Sequence, residues 1–189
     1  MEIKEVIQRL KDGNSRFVAD KLDGKFQDSK RREALDSGQS PYAIVLGCAD
    51  SRVIPELIFD TGLGEIFTVR VAGNIANSSS IASIEYAVVH LKSTVIVVLG
   101  HESCGAVAAA IAGGDNGYNL NHLLAHITPA KEMLKGQDSI SIIKKNAEHA
   151  ASELISRSPI LSEAVKSGQI KIVPAYYHLA SGEVEFLES

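Results

Sequence analysis

Tryptophan is absent from this 189-residue sequence, cysteine occurs only twice, and neither sign of charge dominates. Two cysteines cannot make a disulfide framework, so the thiols are expected to be reduced and the protein cytoplasmic. The 19 Lys and Arg against 23 Asp and Glu give a net charge of −4. That balance supplies no basic footprint for nucleic acid and no cationic run for an anionic membrane. No stretch approaches the roughly 18 apolar residues of a membrane span. The opening MEIKEVIQRLKDGNSRF alternates charge with apolar residues, where a signal peptide needs an unbroken apolar core. What is present, 45% hydrophobic and 22% charged residues, suits one globular domain with a substantial core.

The first forty residues read as a helical arm. Ile3, Val6, Ile7 and Leu10 recur at helical spacing and Gly13-Asn14 supplies a stop signal, while SKRREALDSG predicts a second short helix ending at Gly38. Four runs rich in β-branched residues follow: YAIVLGC (42–48), EIFTVRV (65–71), TVIVVLG (94–100) and IKIVPAYY (170–177). Near-continuous apolarity is what strands buried on both faces require. Between them lie the helical patterns SSIASIEYAVVHL and CGAVAAAIAG, and a long one from about Leu120 to Ser156. GGDNGYN (113–119) reads as a loop and GEVEFLE (182–188) as a short edge strand. The alternation predicts an α/β fold: a mostly parallel sheet of four to five strands flanked by helices, with the N-terminal arm outside it.

Both cysteines fall where such a fold places ligands. Cys48 ends the first strand, His101 follows the third in VIVVLGHESCG, and Cys104 comes three residues later at the start of a helix. Open α/β sheets bind beyond the carboxyl ends of their strands, and a helix N-terminus favours a thiolate. Two thiolates and an imidazole suit zinc, and three protein ligands leave a fourth tetrahedral position free. Asp50 and Arg52 add a second layer. A carboxylate beside a metal-bound water accepts its hydrogen bond, and an arginine holds that carboxylate ionised. A solvated ion pair is the plainer alternative.

At these residues the sequence resembles the β-class carbonic anhydrases. CADSRVIPELIFDTGLGEIFTVRVAGNIA is similar to the family's first signature and SIEYAVVHL…VIVVLGHESCGAV to its second, with LKDGNSRFV and SGQIKIVPAYYHLASGEVEFL similar to the flanking segments. The resemblance implies zinc on Cys48, His101 and Cys104 and a catalytic pair of Asp50 and Arg52. The implied reaction is reversible hydration of carbon dioxide to bicarbonate and a proton by zinc-bound hydroxide. It implies a homodimer at least, with tetramers common, a 1–40 arm packed on the partner subunit, and a pocket shared between subunits. Gln39, Phe67 and Tyr86 match its lining positions. Composition and spacing alone read Phe67 and Tyr86 as core and Gln39 as loop. Some members close the zinc with the equivalent of Asp50, which makes Asp50 a fourth ligand in a closed form. In one subgroup a second bicarbonate site containing a tryptophan favours that state, and this chain has none.

Three rival readings stand beside this one. A hydrolase of carbonyl sulfide or carbon disulfide would use the same zinc site, with pocket shape deciding. A zinc-stabilised binding protein without activity would not need the free fourth position. A redox dithiol protein would be expected to carry Cys-x-x-Cys. His122 and His126, spaced i, i+4, lack an evident third ligand and read as a solvated helix face, as does Glu148-His149. Arg70, at the end of the second strand, either faces the cleft or forms a structural ion pair.

Overall fold

The computed structural model describes residues 1–187. Five strands form one sheet in the order β2-β1-β3-β4-β5: β1 (Ala43–Gly47), β2 (Ile66–Arg70), β3 (Val95–His101), β4 (Lys171–Tyr177) and β5 (Val184–Phe186). The first four run parallel, and β5 closes the edge antiparallel to β4. Every residue of β1 and β3 is buried, as their unbroken apolar runs require for central strands covered on both sides. β2 departs from that expectation: it is an edge strand within the chain, its centre only half-buried and Arg70 exposed. The last residue of the predicted edge segment, Glu188, lies outside the described residues.

Nine helices among the described residues surround the sheet: α1 (Ile3–Val18), α2 (Ser29–Ala34), α3 (Pro55–Ile58), α4 (Ser78–Leu91), α5 (Gly105–Ala112), α6 (Tyr118–Ala125), α7 (Thr128–Met133), α8 (Ser139–Arg157) and α9 (Pro159–Lys166). Three predicted boundaries change. α1 runs straight through Gly13-Asn14, because tertiary contacts use both residues inside the helix. A Cβ on Gly13 would lie 1.9 Å from the Phe59 carbonyl oxygen, so only glycine lets α1 pack this closely on the chain after α3. α2 ends at Ala34 rather than Gly38, and none of its residues is buried. The stretch from Leu120 to Ser156 divides into α6, α7 and α8. Pro129 stands in the first turn of α7, and the Asp138 side chain accepts from the Ser141 N–H to start α8.

Two apolar layers sandwich the sheet. One joins Ile44, Leu46, Ile96 and Val98 to α4 and to the alanine-rich face of α8. The other joins Val45, Val97 and Leu99 to Val6 and Leu10 of α1. No helix among the described residues is long and apolar enough to cross a membrane. For the site, the decisive feature is the switch point. From β1 the chain passes to β2 on one side and then to β3 on the other, which opens a crevice at the carboxyl ends of β1 and β3. Gly47 pairs with Leu99, so Cys48 and His101 leave neighbouring strands at the same end.

Candidate metal centre

Cys48, His101 and Cys104 converge in that crevice, their ligand atoms all within 4.8 Å of one another and all three residues buried. Among the described residues no other group of three or more His, Cys, Asp or Glu side chains converges in this way. Cys104 stands at the cap of α5 after a left-handed turn at Ser103 (φ 55°). The His101 ring is oriented by the Glu102 carbonyl oxygen, 2.8 Å from Nδ1. With Nδ1–H donating there, Nε2 carries the lone pair, and Nε2 is buried with no hydrogen-bond partner. A buried nitrogen lone pair is costly unless something binds it. A metal ion satisfies that need, and the carbonyl on the opposite ring nitrogen is the usual support of a metal-bound histidine.

The two buried sulfurs oppose each other's ionisation. Cys48 is drawn well below an ordinary thiol by a hydrogen bond from the Cys104 thiol, against burial, and with help from the Gly73 N–H. Cys104 is pushed up correspondingly by Cys48 and by burial. A cation between them removes the conflict, because it stabilises both as thiolates. The donor set therefore fits a borderline-soft metal ion with a position to spare.

Asp50 lies beside this cluster, its Oδ2 4.0 Å from His101 Nε2. Arg52 grips it from its own loop: Nε donates to Oδ1 at 2.9 Å, Nη2 to Oδ2 at 2.8 Å, and the Arg52 N–H also to Oδ1 at 2.9 Å. The Arg52 side chain above all holds the Asp50 carboxyl far below the usual carboxylate range, outweighing the opposing effect of burial. Asp50 is thus a charged acceptor, aimed and fixed next to the would-be metal.

The predicted pocket residues fall elsewhere in the single chain. Phe67 of β2 and Tyr86 of α4 meet with ring centroids 6.4 Å apart; Phe67 is half-buried against the core and Tyr86 is 49% exposed. Gln39 is exposed in the segment before β1. Of the residues read as incidental, His122 of α6 and His126, just past its end, form an edge-on pair with ring centroids 5.7 Å apart. Asp115 of the GGDNG turn organises the approach to α6, accepting from the Gly117 N–H and Asn121 Nδ2.

Sequence reasoning missed two supports. The Gly73 N–H donates to Cys48 Sγ at 3.3 Å, and Asn146 Nδ2 holds the Gly73 carbonyl at 2.8 Å. Gly73 takes φ +72° in a short 3₁₀ turn (Ala72–Asn74), which favours glycine. The Gly-Asn pair in VAGNIA signals a turn, but nothing in the sequence ties that turn to Cys48. Arg70 makes no ion pair among the described residues. Its Nε donates to the Cys48 carbonyl at 2.9 Å and its Nη2 to the Asp50 carbonyl at 2.7 Å.

Comparison with known proteins gives a consistent picture. A family model described as carbonic anhydrase matches residues 43–184. A carbonic anhydrase of Mycolicibacterium smegmatis is 40% identical over 183 residues, covering 93% of this chain and 89% of that protein. Carbonic anhydrase 2 of Mycobacterium tuberculosis is 40% identical over 181 residues, covering 92% and 87%. A solved β-carbonic anhydrase of Coccomyxa, in complex with acetazolamide, superposes with a TM-score of 0.77 at 28% identity, covering 92% of this chain and 82% of that one. One of two tetrameric β-carbonic anhydrases of Sordaria macrospora superposes with a TM-score of 0.78 at 25% identity, covering 98% of both.

Proposed function

The chain belongs to the β-class carbonic anhydrase family, enzymes of the reversible hydration of carbon dioxide to bicarbonate and a proton, and we propose that it works at the Cys48–His101–Cys104 site with zinc as the metal. The observation that carries this reading is the buried, unpartnered His101 Nε2, which shares a buried cluster with the Cys48 and Cys104 sulfurs, all three ligand atoms within 4.8 Å of one another. When bound, zinc supplies a Lewis acid that brings the pKa of water down towards neutrality.

The chain's own residues account for the rest. Asp50 accepts a hydrogen bond from the attacking water and so turns its lone pair towards the substrate carbon. Arg52 keeps that carboxylate deprotonated and aimed. The same proximity, 4.0 Å from His101 Nε2, also lets Asp50 serve as the blocking fourth ligand of a closed form.

Phe67, Tyr86 and Gln39 contribute to holding carbon dioxide in a pocket completed by a second copy. Tyr86 and Gln39 are exposed and Phe67 is only half-buried in the isolated chain, which supports a shared pocket, since an apolar substrate needs walls on every side. α2, with no buried residue, is the part of the 1–40 arm that packs on the partner, whereas α1 already covers its own sheet. A homodimer is therefore the minimum assembly, and a tetramer extends it. Free thiol ligands suit a reducing compartment, so the cytoplasm is the expected location.

The test is metal content together with carbon dioxide hydration in three proteins. Wild type should carry one zinc per chain and be active. Cys48→Ala should lose both metal and activity, and Asp50→Asn should keep zinc while losing rate. An active, metal-free Cys48→Ala protein would overturn the assignment.

A further inference from the structure

The parallel ladder between β1 and β2 ends where the Val71 N–H donates to the Gly47 carbonyl at 3.1 Å. Beyond Gly47 the chain carrying Cys48 and Asp50 has left the sheet. Arg70, opposite Gly47 in the register, reaches past the end of the ladder and donates to two carbonyls of that segment, Cys48 at 2.9 Å and Asp50 at 2.7 Å. One planar guanidinium therefore spans the Cys48–Ala49–Asp50 main chain. The Asp50 carbonyl also accepts from the Val53 N–H at 3.0 Å. Arg52 fixes the Asp50 carboxylate and Arg70 fixes its backbone, so the residue is held from both ends.

We propose that Arg70 is a positioning residue for catalysis, whose two-carbonyl clamp sets the place of Asp50 beside the metal. The proposal rests on the reading of Asp50 as the acceptor that orients the attacking water. A group misplaced by about 1 Å costs up to about 100-fold in rate, and without Arg70 the Cys48 carbonyl loses its guanidinium partner and the Asp50 backbone is left with the Val53 N–H alone. The clamp depends on the fork of the guanidinium, not only on its charge, because a lysine ammonium cannot present two coplanar donors at this spacing.

The experiment combines kinetics, metal content and amide exchange on the intact protein. Arg70→Gln should lower kcat for carbon dioxide about 10- to 100-fold with KM little changed and one zinc per chain retained. Hydrogen exchange should quicken across residues 49–53 while the central strands stay protected. Arg70→Lys should recover only part of the rate. In an Asp50→Asn background, Arg70→Gln should cost nothing further, since its effect passes through Asp50. Four results would overturn the proposal: a kcat within twofold of wild type, a loss that multiplies with that of Asp50→Asn, full recovery by Arg70→Lys, or unchanged exchange at 49–53. A wild-type protein lacking zinc or hydration activity would instead strike the functional reading, and the exchange measurement would still decide whether Arg70 fixes the segment.

Discussion

Asn14→Ala removes a side chain that ties three distant parts of the chain together from inside α1. Asn14 Nδ2 donates to the Ile58 carbonyl at 3.1 Å and to the Gly182 carbonyl at 2.8 Å, and Oδ1 accepts from the Val184 N–H at 2.9 Å. Asn14, Ile58, Gly182 and Val184 are all buried. Truncation leaves two carbonyls and one N–H without partners, each at about 1–3 kcal/mol. Taking the low end for all three, because water can partly fill the small space, gives a loss of about 3 kcal/mol. Against a total stability of about 5–15 kcal/mol this is a large fraction, and it corresponds to a Tm lower by roughly 6–12 °C for a chain of this size. Urea unfolding at matched protein concentration is the assay, since any assembly adds a concentration-dependent contribution. Asn14→Asp serves as the control: it keeps the acceptor for Val184 but turns a second acceptor on the two carbonyls, so it should rescue little. A loss below about 1 kcal/mol for Asn14→Ala would refute the reasoning, and so would full rescue by Asn14→Asp.

Two further outcomes follow from the same structure. Gly73→Ala places a Cβ 2.7 Å from Ile127 Cδ1 and 3.2 Å from Ala106 Cβ at φ +72°, which disfavours any side chain by roughly 1–2 kcal/mol. The shift also moves the N–H off Cys48, so zinc should pass to a competing chelator about 10-fold more readily; unchanged retention would show the bond to sulfur to be idle. Asp60 concerns acid stability. Burial raises its pKa, but the Asp23 N–H, the Arg16 guanidinium and the Gly24 N–H outweigh it, and the carboxyl sits below its ordinary value. A depressed carboxyl contributes stability that is complete above the unfolded value, about 3.9, and is lost as the pH falls through the lower folded value. Asp60→Asn should therefore be less stable than wild type at neutral pH, with the gap closing below about pH 4; parallel stability curves down to acid pH would contradict this.

How far the sequence spoke for the structure depends on the range over which each residue acts. Cys48 and His101 were legible because apolar runs locate strand ends, and strand ends of an α/β sheet gather ligands whatever the intervening length. The pairing of Arg52 with Asp50 was legible from their spacing of two residues, although the contact forms in a turn beyond β1, where the Arg52 N–H also donates to Asp50 Oδ1. Asn14 was misread for the opposite reason: beside Gly13 it has the local form of a helix stop, and only contacts to Ile58, Gly182 and Val184 turn it into a helix-interior anchor. Phe67 and Tyr86 read as core because aromatics in apolar segments usually are; Phe67 does pack partly against the core, and the exposure of Tyr86 becomes visible only when β2 proves to be an edge strand. Arg70 and Gly73 are the hardest case. Both act on the main chain or on a sulfur across a sheet edge, and every residue type offers the same carbonyl acceptor, so no side-chain pattern marks their targets. The donors that bring chemistry to a site carry distinctive side chains and stand out in a sequence, whereas those that hold the site in place work through the backbone and emerge only once the strands are paired.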